Sequence, residues 1–216
     1  MPRPSVPLLS RDQIAIAALA QLDESGTLTL PKLASGLNVS VSSIYHHFAG
    51  GREEIIERIR GLLTGEWPSP LDEDLDWRDY AEQWAHGYRA AMARHPHVVP
   101  LLTLQTVSAP ETLASYEALA RVLRRAGFAD EDLLHAVSVL DCFILGSALD
   151  ASAPLDVWAD SGDPGSALRA AIAVTRTQPG DRSLRSFELG LHALLAGLAE
   201  LLRVSPPGPR GRRSSC

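Results

Sequence analysis

The residues with most chemistry to offer lie in one run, Thr29-Leu-Pro-Lys-Leu-Ala-Ser-Gly-Leu-Asn-Val-Ser-Val-Ser-Ser-Ile-Tyr-His-His-Phe48. Hydroxyls, imidazoles, a phenol and one ammonium recur there without nucleophile or metal-ligand spacing. Leu30, Leu33, Ala34 and Leu37 fall on one face of a short helix, and Ile44 and Phe48, four apart, on one face of the next. Val39 sits where a turn residue plugs the angle between two crossed helices. Asn38 occupies a turn position that asks for left-handed geometry, which Asn tolerates. Ser40 is placed to cap the second helix. The outward face is then Val41, Ser42, Tyr45 and His46, short or hydrogen-bonding groups suited to phosphates and base edges in a major groove. The same spacing suits an ordinary helical hairpin with a polar outer face, and spacing alone does not choose between them.

Other reactive residue types do not converge. Cys142 lies in an apolar helical run, where burial is expected, and Cys216 is the last residue, so no disulfide framework or nucleophile is predicted. His86, His95, His97, His135 and His192 form no metal motif, because His95-x-His97 does not place both rings on one helical face. No Gly-rich phosphate loop is present. The expectation is therefore a protein without catalytic residues, metal or cofactor. Asp141, between Leu140 and Cys142, needs a partner if buried. Trp77, Tyr80, Trp84, Tyr88 and Met92 form a stripe on one helix, which reads as core or as the wall of an apolar pocket.

Helical periodicity recurs along the chain and no long alternating strand pattern occurs, so the fold class is all-α. Helices are expected at about 10–25, 30–36, 41–48, 52–66, 77–95, 97–107, 110–126, 130–151, 166–177 and 184–204. Gly26 should end the first, and Thr29 should cap the second, with Pro31 tolerated in its first turn. Trp67-Pro-Ser-Pro70 marks the best boundary. Residues 1–66 are read as a helix-turn-helix domain with a connecting helix, 67–204 as a larger helical domain, and 205–216 as a disordered tail.

The net charge of −6 does not suggest a nucleic-acid partner, and residues 1–66 carry six Lys and Arg against seven Asp and Glu. No window reaches the roughly 18 uncharged apolar residues of a membrane helix. The Pro-rich start lacks the apolar core of a secretory signal. A cytoplasmic protein with no membrane partner is expected.

Residues 10–66 resemble the DNA-binding domain of the TetR family. The resemblance runs through Ala17-Ala18-Leu19, Gly26, Leu28-Thr29, Lys32-Leu33-Ala34, Leu37, Val39-Ser40, Ile44-Tyr45, His47-Phe48 and Glu54-Ile55-Ile56, three helices and the start of a fourth in register. It implies that Thr29 and Lys32 face phosphate, and that Ser40, Val41, Ser42, Ser43 and His46 face bases or backbone. By the same resemblance Tyr45 touches phosphate and His47 lies near the backbone, while Ile44 and Phe48 are core. The family often has a Lys just before the fourth helix. Gly51 stands there instead, with Arg52 one residue later as a candidate DNA-facing cation, and Pro31 replaces a longer polar residue.

From about residue 77 the chain resembles, more loosely, the tetracycline-repressor-like branch, through His95-Pro96, Leu101-Leu102 and Leu123 to Gly127-Phe128. In the last helix Leu184, Phe187, Leu191, Leu194, Leu198 and Leu201 make a packing seam, beside a second face of Gly190, Ala193 and Gly197. The family implies that this helix and 130–151 pair with their symmetry mates as a four-helix bundle. The expectation is a ligand-responsive regulator: a homodimer that binds double-stranded operator DNA and is released by a small-molecule effector. Trp84, Tyr88, Met92, Asp141 and Phe143 are its candidate ligand residues. The alternative is a helical ligand-binding or interaction protein whose helix-turn-helix is too weak to read an operator.

Overall fold

The computed structural model describes residues 9–67, 72–154, 157–159, 162–163, 165–177 and 180–204. The expected boundary at 68–70 and the tail at 205–216 lie outside them. Ten helices and no strand make up the regular structure among the described residues: α1 (Arg11–Ser25), α2 (Leu30–Gly36), α3 (Val41–His47), α4 (Arg52–Thr64), α5 (Trp77–Ala93), α6 (Val99–Leu102), α7 (Pro110–Ala126), α8 (Asp130–Asp150), α9 (Ala167–Thr177) and α10 (Arg182–Val204).

Local sequence explains most helix ends. The Gln13 N–H donates to the Ser10 hydroxyl at 3.2 Å and the Ser10 N–H to the Gln13 side chain at 2.9 Å, a capping box that starts α1. Gly26, at φ 66°, ends it. Asp76 caps α5 by accepting from the Arg78 N–H at 2.9 Å. Three acidic residues, Asp130, Glu131 and Asp132, open α8 where the helix dipole favours negative charge.

α1, α2 and α3 pack around Ile14, Ala18, Leu22, Leu33, Ile44 and Phe48, all buried. α4 continues that core and also enters the larger body built from α5, α7 and α8, so the two parts share one buried cluster. Ile55, Ile56, Ile59 and Leu63 of α4 are fully buried, each stabilising the fold by about 1.5–3 kcal/mol. α10 lies on α8, and its Phe187, Leu191, Leu195, Leu198 and Ala199 are buried.

Four expectations need correction. Thr29 precedes α2 but its side chain makes no capping bond; Pro31, the second helical residue, removes one of the two N–H groups that a cap can bind. The helix expected over 97–107 shrinks to Val99–Leu102. Past Leu102 the backbone tightens into a turn in which the Gln105 N–H donates to the Leu102 carbonyl at 3.2 Å, and the Arg60 guanidinium donates to the same carbonyl at 2.7 Å. Cys142 is exposed, on a side of α8 turned away from its own chain. Leu184 and Leu201 are 40 % and 53 % exposed, and Leu195 and Ala199 take the seam in their place. α8 is also the one helix among the described residues long and apolar enough to cross a membrane by length and composition, although its buried positions pack on α5, α7 and α10.

Candidate nucleic-acid interface and regulatory core

The turn between α2 and α3 has the geometry the sequence asks for, with Asn38 at φ 54°, the only non-glycine residue at positive φ among those described. The Ser40 hydroxyl accepts from the Ser43 N–H at 3.1 Å and lies 2.8 Å from the Ser43 hydroxyl. This mutual pair starts α3 and turns both hydroxyls toward the helix terminus. Ser42, Tyr45 and His46 are left exposed on the outer face, with Val41 and His47 half-buried at its edges. Thr29 is exposed with its hydroxyl free of the cap. The Lys32 ammonium is held by the Glu24 carboxylate at 3.0 Å, a solvent-exposed pair worth about 0–1 kcal/mol and easily exchanged for another anion. Arg52 opens α4, half-buried and in no ion pair among the described residues.

Gly51 explains the departure before the fourth helix. It caps α4 at φ 62°, ψ −129°, and a Cβ there would stand 3.2 Å from the Tyr45 ring. A side chain at this position would be strained by its backbone and would push on Tyr45. Glycine therefore seats the aromatic ring against the start of α4.

Spacing gave no sign of Arg11. Its guanidinium donates to the His47 carbonyl and, at 2.6 Å, to Glu54, while lying 4.1 Å over the Phe48 ring. Glu54 also accepts from the Gly50 N–H at 3.0 Å. The Arg11 hydrogen bond, aided by the Gly50 amide, holds the Glu54 carboxyl below its usual range. One arginine thus joins the start of α1 to the end of α3 and the start of α4.

Farther along α4, Arg58 bridges Asp12 of α1 and Glu111 of α7, both at 2.7 Å. The bond from Arg58 holds the Asp12 carboxyl low. The Glu111 carboxyl is lowered first by its own backbone N–H at the start of α7 and then by Arg58. Burial pushes the Glu57 carboxyl up, but the Ser108 and Ala109 N–H groups at 2.6 and 2.7 Å, together with Arg60, outweigh it and leave it low. Thr64 and Thr112 share a buried hydrogen bond of 2.8 Å. A hollow of about 620 Å³ opens beside this joint, lined by Arg11, Glu54, Arg58 and Glu111 among others. His95 reaches Asp23 at 2.8 Å and His97 reaches the Leu22 carbonyl at 3.0 Å, so α1 touches the larger body from a second side.

Inside the larger body, Trp84 and Tyr88 meet Trp67 and Tyr116. The Trp67 ring is 4.3 Å from that of Tyr88 and 5.6 Å from that of Trp84, and Tyr116 is 5.6 Å from Trp84. The Trp84 indole donates to Ser115 at 2.8 Å. The Tyr116 hydroxyl donates to Asp141, which answers where that carboxylate finds its partner. Burial, reinforced by the Asp141 charge, holds the Tyr116 phenol protonated well above its ordinary range. The Trp67 indole N–H is buried and meets no acceptor among the described residues. Met92 is buried on the same helix. Phe143, expected among these residues, turns instead to α10. It stacks on Phe187 at 5.6 Å, and a Cβ on Gly190 would come within 2.5 Å of its ring.

Residues 69–202 match the family model of the tetracyclin repressor-like C-terminal domain. The chain belongs to the TetR family. Its TetR-type body accounts for more than half the sequence, and the helix-turn-helix precedes it. An HTH-type transcriptional regulator of Saccharopolyspora erythraea is 28% identical over 207 residues, 89% of this chain and 86% of that one. ActR, a TetR family protein of Streptomyces coelicolor solved with (S)-DNPA, superposes with a TM-score of 0.73 at 24% identity, covering 90% of this chain and 98% of its own. BioQ, solved with its double-stranded DNA operator, gives a TM-score of 0.63 at 24% identity over 89% and 99%. The chain is a TetR-type transcriptional regulator with an N-terminal helix-turn-helix.

Proposed function

We propose that this TetR regulator is a cytoplasmic homodimeric repressor, neither an enzyme nor a membrane partner, with α3 of each protomer in the major groove of a palindromic operator. A small molecule entering the aromatic cluster of α5, α7 and α8 releases it. In this reading residues 1–66 are the DNA-binding domain and 67–204 the sensing and dimerising one. Ser42, Tyr45 and His46 read or anchor DNA directly, Thr29 and Lys32 meet phosphate, and Ser40 and Ser43 set the start of α3. Val41, His47 and Arg52 lie at the edge of the contact.

The observation that carries the reading is α4, about 20 Å long at 1.5 Å per residue. Its first turn is tied through Glu54 and Arg11 to α3, and its last turns through Arg58, Arg60 and Thr64 to α6 and α7. A ligand that favours one setting of α7 shifts α4 and with it the separation of the two recognition helices. The effector site is read as Trp67, Trp84, Tyr88, Tyr116 and Asp141, apolar rings with a few polar groups, beside Met92. Phe143 belongs to the seam with α10. Dimerisation is supported by apolar side chains left bare on α8 and α10, with Leu134 75 % and Leu189 74 % exposed and, among the described residues, nothing within 4 Å of a Cβ on Gly197.

A second reading, an interaction protein with a silent helix-turn-helix, draws on the near-neutral charge of residues 1–66 and on Lys32 being held by Glu24. A mobility shift on the promoter of the chain's own gene, repeated across salt, separates the two. The proposal expects a shift that weakens with salt and is lost in Tyr45→Ala. A shift equally strong in Tyr45→Ala would overturn it.

A further inference from the structure

Glu82 and His86 stand four apart on α5, which puts them on one helical face. Glu188 and His192 repeat the same Glu-x-x-x-His spacing on α10. Within a single helix each pair is an ordinary solvated couple. The fold brings side chains of the two helices together, so that a carboxylate oxygen from Glu82, another from Glu188 and a ring nitrogen of His86 all lie within 4.8 Å of one another.

Two details go beyond a surface cluster of charge. His86 Nε2 and Glu188 Oε2 are 3.5 Å apart, longer than the about 2.7–2.9 Å of a charge-assisted hydrogen bond. It is close to the spacing of two donors on one tetrahedral ion, which bonds of about 2.0–2.2 Å place roughly 3.4 Å apart. The imidazole is also held in place, since its ring meets Phe187 edge-on at 5.1 Å and 90°. One side of the cluster opens into a hollow of about 560 Å³ lined by Glu82, Glu188 and His192, which leaves room for a fourth ligand.

We propose that Glu82, His86 and Glu188 form a binding site for a divalent transition-metal ion of the zinc class, its fourth position open to the hollow that His192 lines. Two carboxylates neutralise the double charge, and the imidazole selects zinc, cobalt or nickel over magnesium and calcium. The ion would clamp α5, whose opposite face carries Trp84 and Tyr88, to α10.

Co2+ is the probe, titrated into chelator-treated full-length protein and read by its visible ligand-field absorption. The expected result is saturable binding of about one ion per chain, with the intense bands of a low-symmetry site. His86→Ala and Glu188→Gln should each weaken it by at least about tenfold, and His135→Ala, on the exposed side of α8, should leave it unchanged. The solvent-exposed Glu82→Gln serves as a further ligand variant should His86→Ala fail to fold, which circular dichroism reports. Absence of a saturable band, or equal Co2+ affinity in the unmodified protein and every folded ligand variant, overturns the site.

Discussion

Replacing Gly51 by Ala tests how α3 is seated on α4. Its backbone sits at φ 62°, ψ −129°, where an L-residue is strained, and the added Cβ would lie 3.2 Å from Tyr45 Cε1. The backbone term costs about 1–3 kcal/mol. The contact adds little of its own, because the Tyr45 ring is the far end of an exposed side chain and gives way. Under the proposed function that yielding weakens operator binding, since the phenol leaves the position proposed to meet DNA. For a chain of this size 1 kcal/mol moves Tm by about 2–4 °C, so the loss should be about 2–12 °C. Gly36 is the control, helical and with nothing within 4 Å of its Cβ. Gly36→Ala should stabilise by about 0.4–1 kcal/mol. Thermal and denaturant unfolding of both variants, with operator affinity measured alongside, give the comparison. If Gly51→Ala proves as stable as the unmodified protein and binds operator equally well, the account of the Tyr45 seat is wrong.

Three further outcomes are expected. Lys32→Ala should weaken binding to all DNA sequences and reduce the salt slope by about one, whereas Ser42→Ala should weaken the operator selectively; gel shifts at several salt concentrations measure both. Gly197→Leu should cost about 1–3 kcal/mol of dimer stability if that open face is the interface, seen as concentration-dependent dissociation in sedimentation, while Gly190→Ala should destabilise each protomer by crowding Phe143 within its own chain. The carboxyls of Asp12, Glu54, Glu57 and Glu111 are all held low, so the stability they contribute is complete above about pH 4.3, the ordinary glutamate value. It is lost as pH falls through their lowered folded values. Asp12→Asn should flatten that acid limb in a plot of Tm against pH.

The helix-turn-helix was legible because its determinants are local. Asn38, Ser40 and the spacing of Ile44 and Phe48 each act within a few residues, and α2 and α3 fall where the periodicity places them. What could not be read were contacts between residues far apart in sequence. Arg11 reaches across 36 and 43 residues to His47 and Glu54, and Asp141 finds Tyr116 on another helix. Arg60, 42 residues away, reaches the Leu102 carbonyl where the helix expected over 97–107 stops. Phe143 looked like a neighbour of Trp84 by composition, but Gly190 opens a slot that draws it to α10. Glu188, 106 residues beyond Glu82 in sequence, comes near it and His86 only through the tertiary arrangement of α5 and α10.

The central claim, that paired α3 helices read an operator, is tested most directly by selecting from random double-stranded DNA with the full-length protein and sequencing what is retained. The account predicts an enriched approximate palindrome whose half-sites are centred about 34–36 Å apart, or a multiple of that, and no such enrichment with Tyr45→Ala. Retention of unrelated sequences without a palindrome would contradict it.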